Sequence, residues 1–272
     1  MAEPDRYAVI GHPIAHSKSP IIHQLFAEQT NEAISYEAID VLPDQLSEMI
    51  SKFTAEGGRG LNVTVPHKQD ALKLMDKLTE RAKLAGAVNT ITFNDKGELE
   101  GDNTDGIGLI ADLRDNLQIE LIDASILILG AGGATRGIIP PLMEQRPAEL
   151  LIANRTSDKA QSLSIAFSDL GNIDACGFDN LDGRHFNLII NATSAGLEGE
   201  LPPFPTSILS PDTICYDLSY SMHATPFIAW AKQYGCKHAY QGWGMLVEQA
   251  AESFAIWRGV RPETKKVRAR LP

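Results

Sequence analysis

The segment Asn62-Val63-Thr64-Val65-Pro66-His67-Lys68 puts two small polar side chains and one ammonium where a buried strand would be apolar. Successive side chains of a strand point to opposite faces, so Asn62 and Thr64 are expected on one face and Val63 and Val65 on the other. Pro66 has no N–H for a ladder, so the strand is expected to stop there and Lys68 to ride on the first turn of a helix. Ligands of open α/β sheets collect beyond the carboxyl ends of the strands, which is where such a lysine would stand. An ammonium there can hold an anion, or stabilise an oxygen that gains charge and give it a proton. A lone lysine at a helix start is ordinarily a surface group, but here an Asn/Thr pair is aimed at the same place.

A second stretch with chemical content is Gly130-Ala131-Gly132-Gly133-Ala134-Thr135-Arg136, which follows the apolar run Ile126-Leu127-Ile128-Leu129. Glycines let the backbone approach a pyrophosphate, and a helix N-terminus offers it free N–H groups and a positive dipole end. The motif departs from GxGxxG at its third glycine, where Thr135 stands, and taken alone it also fits a structural glycine turn. The next apolar run adds the missing information, because it ends in Asn154-Arg155-Thr156. An NAD site usually places Asp or Glu about 20 residues beyond the glycines to accept from the ribose hydroxyls. A carboxylate would repel a 2′-phosphate, whereas Arg155 can hold one, and Lys159 on the following helical turn adds a second cation. NADP(H) is therefore the expected cofactor. Thr193, in Asn191-Ala192-Thr193, offers further polar groups at the end of another buried strand.

The elements that must position these groups alternate along the chain. Apolar runs at residues 7–10, 34–39, 61–65, 88–93, 126–129, 150–153, 188–190 and 213–216 read as strands. Helical patterns lie between them at 20–30, 43–55, 67–78, 106–117, 134–144, 157–167 and 226–234. Such alternation predicts mostly parallel sheets. Asn94-Asp95-Lys96-Gly97 reads as a hairpin turn, so the first sheet need not be purely parallel. Gly101-Asp102-Asn103-Thr104-Asp105-Gly106 is polar and flexible, a candidate hinge after which the nucleotide signal begins. The expected organisation is a first domain of residues 1–104 with 241–272, and a second of residues 105–240. The amphipathic stretch 244–257 is expected to return to the first domain as a closing helix.

Composition limits what else the protein can be. At 272 residues and 43% hydrophobic the chain is globular and long enough for two domains. Its net charge of −11 argues against nonspecific binding to nucleic acid or an anionic membrane, so an anionic ligand needs local cations. No apolar run is long enough to cross a bilayer and the first residues lack a signal-peptide pattern, so a cytoplasmic location is expected. Three widely spaced cysteines and seven scattered histidines point to neither disulfides nor a metal site. The basic tail Lys265, Lys266, Arg268 and Arg270 is expected to be solvated.

Taken in order, Ser17-Lys18-Ser19-Pro20, residues 62–68, Ala85-Gly86-Ala87-Val88-Asn89-Thr90, residues 101–106, the glycine turn, Asn154-Arg155-Thr156 and residues 242–249 resemble shikimate dehydrogenase. The match is collinear from about Tyr7 to Trp257. The resemblance implies an N-terminal α/β substrate domain, a Rossmann-like NADP-binding domain, and NADPH-dependent reduction of 3-dehydroshikimate to shikimate on the way to aromatic amino acids. By position it implies that Ser17 and Ser19, joined by Tyr220, bind the substrate carboxylate. Asn62, Thr64, Asn89 and Gln249 would meet its hydroxyls, and Lys68 with Asp105 would form the catalytic pair. Gly130, Ala131, Gly132, Gly133, Ala134, Asn154, Arg155, Thr156 and Lys159 would hold the cofactor, with Thr193, Glu80, Leu218 and Gly242. A polyhydroxylated acid needs many neutral hydrogen-bond partners and few charges, which is the composition of this set.

Two residues depart from the family pattern: Gln241 precedes Gly242 where Asp is usual, and Leu218 stands where methionine can occur, a volume-conserving change. The alternatives are a quinate/shikimate dehydrogenase of broader specificity and a non-catalytic NADPH-binding regulator. Intact Lys68 and Asp105 weigh against the regulator, and Arg155 against NAD preference. Either a monomer or a homodimer is compatible with the sequence.

Overall fold

The computed structural model describes residues 3–94, 96–193, 195 and 200–271. The chain forms two compact units, the first running to Gly108 and resumed by Leu246–Leu271, the second Leu109–Met245. These divisions lie a few residues beyond the expected 104/105 and 240/241, because the chain crosses within helices rather than in loops. One crossing is in α5 (Asp105–Ala111) and the other in α9 (Trp243–Arg258).

In the first unit the strands β1 (Asp5–Gly11), β2 (Ile34–Asp40) and β3 (Gly58–Val63) run parallel in the order β2-β1-β3. The sheet continues antiparallel through β5 (Thr90–Phe93) and β6 (Leu99–Asp102), and ends at β4 (Lys77–Leu78). Two helices, α1 (Ser19–Thr30) and α2 (Leu46–Ala55), connect the parallel strands. On α2 the residues Leu46, Ile50 and Phe53 recur on one face and join Ile10, Leu61 and Ile91 in the core.

Three local expectations change. β3 ends at Val63, two residues early, and Val65 is 51% exposed rather than sharing a buried face with Val63. The helix expected over 67–78 is only α3 (Lys68–Leu72); the edge of β6 captures the chain beyond it, with Asp76 N–H donating to the Leu99 carbonyl at 2.9 Å. Residues 101–106 are not an open hinge, since Gly101 and Asp102 close β6 and Asp105 opens α5. A short α4 (Glu80–Ala85), capped by Thr79 and stopped by the positive φ of Gly86, was too brief for a periodic signal. In the turn before β6, Asn94 Oδ1 accepts from the N–H groups of Lys96 and Glu98; Asp95 lies outside the described residues.

The closing helix packs on the first unit, where Val247, Ala250 and Phe254 of α9 meet Ile22 and Phe26 of α1. Val267 of α10 (Thr264–Arg268) completes that cluster, so the basic tail is helical and partly anchored rather than simply solvated. Lys266 pairs with Glu263 and Arg268 with Glu248.

The second unit is one parallel sheet in the order β12-β11-β10-β7-β8-β9. Its strands are β7 (Ser125–Leu129), β8 (Glu149–Asn154), β9 (Ile173–Gly177), β10 (Leu188–Asn191), β11 (Ile214–Asp217) and β12 (His238–Gln241). Helices α6 (Gly133–Glu144), α7 (Ser157–Ala166) and α8 (Pro226–Gln233) connect them. Ile126, Ile128, Leu150 and Ile152 fill the core on one face, while Leu127, Leu129, Leu151 and Ile189 fill it on the other. That two-sided burial is why the central strands read as unbroken apolar runs. The strand order reverses between β7 and β10, the switch point at which such sheets bind ligands.

Candidate active site

Lys68 opens α3 just beyond β3, and its Nζ donates to Asp105 Oδ2 at 2.6 Å. The two side chains are 21% and 9% exposed, so the pair is largely withdrawn from water yet reachable. Lys68 is held at both ends: its carbonyl accepts from Val88 N–H at 2.9 Å, and the ring of its buried neighbour His67 bonds the Val41 carbonyl at 2.7 Å. Asp105 begins α5, its N–H donating to Asn103 Oδ1 at 3.1 Å.

Asn89 joins the pair to the rest of the site. Its Nδ2 donates to Asp105 Oδ1 at 2.8 Å and to Thr104 Oγ1 at 2.9 Å, while its Oδ1 accepts from Thr104 N–H at 2.8 Å. Gln249 Oε1 lies 3.4 Å from the same amide nitrogen. Asn62 is buried beside it, donating from Nδ2 to the Asn89 carbonyl, Thr90 Oγ1 and Ser253 Oγ, and accepting at Oδ1 from the Tyr36 hydroxyl at 2.7 Å. Thr64 is half-buried just past the strand end, its N–H donating to the Ile10 carbonyl at 2.9 Å. At the start of α1, Ser17 Oγ accepts from Ser19 N–H at 3.3 Å, with Ser19 buried.

Arg81 braces the strand end that leads into Asp105, meeting both oxygens of Asp102 at 2.6 and 2.7 Å. Burial alone would raise the Asp102 carboxyl, but the hydrogen bonds from Arg81 and Thr79 outweigh it and hold the group below its ordinary value. Sequence reasoning missed Arg81, Tyr36, Thr104 and Ser253 as parts of the site. Ser253 carried one usable signal, since it follows Gln249 by one helical turn on the same face.

His23 lies beneath this region, fully buried, with its ring stacked on Tyr36 at 4.1 Å and neither nitrogen making a hydrogen bond. Burial pushes its pKa down from 6.5 to about 3, and the nearby Asn62 amide only partly offsets that. Between those two values the unfolded chain binds a proton that the folded chain refuses, so stability is lost as pH falls through the window. The expected loss from this group approaches about 1.4 kcal/mol per pH unit. Urea unfolding of wild type and His23→Phe at neutral pH and near pH 4.5 checks this: the variant should lose less stability than wild type, and parallel losses would refute it.

In the second unit Gly130 takes φ +108°, and a Cβ there would come within 3.0 Å of the Ala192 carbonyl. Thr135, in place of the third glycine, is buried and donates to the Gly130 carbonyl at 2.9 Å, tying α6 to the turn. Gly132 differs, because a Cβ would meet nothing within 4 Å. The turn therefore leaves room over Gly132 at the α6 N-terminus, with Ala131, Gly133 and Ala134 half-buried beside it. After β8, Asn154 Nδ2 donates to the Thr156 carbonyl at 2.9 Å and shapes the loop that carries Arg155. Arg155 and Lys159 are exposed, and among the described residues neither forms an ion pair.

Thr193 donates to Asn191 Oδ1 at 2.8 Å, and Asn191 Nδ2 donates to Asp217 Oδ1 at 3.1 Å at the carboxyl ends of β10 and β11. Gly242 packs against Leu218, whose carbonyl oxygen a Cβ would meet at 2.5 Å. Gln241, in the place of the usual Asp, accepts from Ser221 N–H at 2.8 Å and steadies the loop bearing Tyr220, whose ring lies 4.5 Å from that of Trp243. Glu80 opens α4 in the first unit, with its carboxylate paired to Lys83 at 2.6 Å. Among the described residues no cluster of three or more His, Cys, Asp or Glu could hold a metal ion, and no helix is long and apolar enough to cross a membrane.

A doubly wound parallel sheet with a glycine turn at its switch point, in one chain with an α/β unit holding a part-buried Lys–Asp pair, is the architecture of two-domain α/β oxidoreductases. Within that class the chain belongs to the shikimate dehydrogenase family. The models described as shikimate dehydrogenase substrate binding domain, shikimate/quinate 5-dehydrogenase and shikimate 5′-dehydrogenase C-terminal domain match residues 9–91, 113–198 and 242–271. Shikimate dehydrogenase (NADP(+)) of Methylococcus capsulatus is 55% identical, covering 98% of this chain and 96% of its own. The crystal structure of an Ael1 enzyme from Pseudomonas putida is similar at TM-score 0.92 and 44% identity, covering 98% of both chains. Shikimate 5-dehydrogenase from Thermus thermophilus, solved in complex with NADP(H) and shikimate, is similar at TM-score 0.85 and 33% identity, with 97% of each chain covered.

Proposed function

We infer that the chain catalyses the reversible NADPH-dependent reduction of 3-dehydroshikimate to shikimate, a step towards the aromatic amino acids. The observation that carries this reading is the 2.6 Å Lys68–Asp105 contact, braced by Asn89, in a chain 55% identical to an NADP(+) shikimate dehydrogenase. Bound NADPH supplies the hydride. As the ketone oxygen gains charge, the Lys68 ammonium stabilises it and gives it a proton. Asp105 orients that ammonium and accepts from the resulting hydroxyl, while Asn89 holds Asp105 in place.

Ser17 and Ser19 lie at the N-terminus of α1, where their hydroxyls and the positive end of the helix dipole favour a carboxylate, and Tyr220 joins them in the proposal. Asn62, Thr64 and Gln249 take the ring hydroxyls. The cofactor fits the second unit's donor set. The open space over Gly132 admits a pyrophosphate at the α6 N-terminus, and Arg155 with Lys159 suits a 2′-phosphate. Leu218, Thr193 and Gly242 line the same strand ends. In this reading residues 1–104 with 241–272 bind substrate, residues 105–240 bind NADP(H), and the enzyme works in the cytoplasm.

The test is an assay of NADP⁺ and NAD⁺ reduction with shikimate and quinate side by side. Shikimate with NADP⁺ is expected to have the highest kcat/KM of the four combinations. A higher value with quinate or NAD⁺ would favour the broader quinate/shikimate enzyme, and no turnover at all would favour a non-catalytic NADPH-binding protein.

A further inference from the structure

We propose that Ser253 is a positioning residue of the substrate site, setting from within α9 the orientation of the Asn62 carboxamide. The proposal rests on the reading of Asn62 as a contact to a substrate hydroxyl. Ser253 is itself fully buried, so it acts through other residues. Its Oγ lies 3.0 Å from Asn62 Nδ2, 2.8 Å from Thr90 Oγ1 and 3.2 Å from Thr104 Oγ1, and it donates to the Gln249 carbonyl at 3.1 Å. Among the described residues no other hydroxyl in the site joins β3, β5, the loop before α5 and α9 at one atom.

With its proton on the Gln249 carbonyl, the Ser253 oxygen has two lone pairs left, one for Asn62 N–H and one for a Thr hydroxyl. Asn62 then spends its nitrogen inward, and its oxygen accepts from Tyr36 at 2.7 Å. One lone pair of Asn62 Oδ1 remains, so Asn62 presents an acceptor and selects a ligand group that donates, a hydroxyl rather than an ether or ketone oxygen. The terminal amide torsion of Asn is soft, and only its partners choose between the two orientations. Ser253 is the nearest of the three acceptors on the nitrogen side, the others being at 3.2 and 3.3 Å. Without it only the longer contacts to the Asn89 carbonyl and Thr90 Oγ1 hold the nitrogen inward, so an amide turned with N–H2 outward, which opposes a donor with a donor, becomes more populated. Thr104 carries the same hydroxyl contact on towards Asn89, which reaches Asp105.

Ser253→Ala is expected to raise KM for shikimate roughly fivefold, with kcat within about twofold. KM for NADP⁺ and the pH profile of kcat should not change. Ser253→Thr keeps the hydroxyl and should restore the shikimate KM. In the ligand-free protein, the two Asn62 side-chain amide protons should exchange slowly in wild type and Ser253→Thr and fast in Ser253→Ala, read from ¹⁵N-resolved NMR. Unchanged shikimate KM with unchanged Asn62 exchange overturns the proposal. So does a general loss in which the NADP⁺ KM and the thermal midpoint move as well and threonine fails to restore function. Should wild type not turn over shikimate, the functional reading fails, and the Asn62 exchange comparison still decides the positioning role by itself.

Discussion

Lys68→Ala is expected to lower turnover by roughly 10²-fold or more while leaving the KM for NADP⁺ nearly unchanged. The ammonium meets Asp105 at 2.6 Å within the first unit, far along the chain from the glycine turn and Arg155, so in the proposed role its loss should remove stabilisation of the developing oxygen charge and little cofactor binding. A second effect accompanies it, because Asp105 is only 9% exposed and would be left, among the described residues, with the Asn89 amide as its short side-chain donor. Leaving one partner of a buried pair unmatched is destabilising, so thermal unfolding must be measured beside the kinetics. Lys68→Met keeps the stem volume and loses only the charge; it should match alanine in turnover. Lys68→Arg should also fail to rescue, since a planar fork does not occupy the place of a point ammonium. Near-normal turnover in a folded Lys68→Ala or Lys68→Met protein would remove Lys68 from the mechanism.

Arg155→Ala is expected to raise the KM for NADP⁺ by roughly 30-fold, with the KM for NAD⁺ changed by less than about twofold. A charge-assisted hydrogen bond to a phosphate contributes about 1.5–3 kcal/mol, which sets that range. Arg155 is exposed and carries no ion pair among the described residues, so its removal leaves no buried charge behind and folding should be unaffected. The loop that holds it is shaped by Asn154 bonding the Thr156 carbonyl, a contact the substitution does not touch. Lys159, on α7, should show a smaller effect of the same sign. Raising the ionic strength should weaken NADP⁺ binding in wild type more than in Arg155→Ala, as screening of a surface cation requires. Equal losses with both cofactors would place Arg155 outside the 2′-phosphate site.

The limits of reading the chain follow from how far each signal reaches. The central strands of the second unit and the helices α6 and α7 were legible, because burial on both faces and a 3.6-residue period are local properties. The edge strands β9 and β12 were not, since each pairs on one side only and His238-Ala239-Tyr240-Gln241 carries no apolar run. The break of the expected 67–78 helix was equally hidden. It depends on the edge of β6, more than twenty residues on, offering Leu99 to Asp76.

By itself the sequence determined the class of fold, the family, and the residues whose chemistry is local to a motif: Lys68 beyond a strand, the glycine turn, and Arg155 beside a neutral Asn154. Only the tertiary structure decided how those residues are held. Arg81 reaches Glu252 across 171 positions and Asn62 reaches Ser253 across 191, contacts that exist because β3, β5 and β6 pair in one register and α9 packs back on α1. A hydrogen bond is directional and short, so a partner is chosen by position in space to within a few tenths of an ångström. No spacing along the chain encodes that choice, which is why Lys68 and Asp105 could be named as candidates from motif and resemblance while partners such as Arg81 and Ser253 could not.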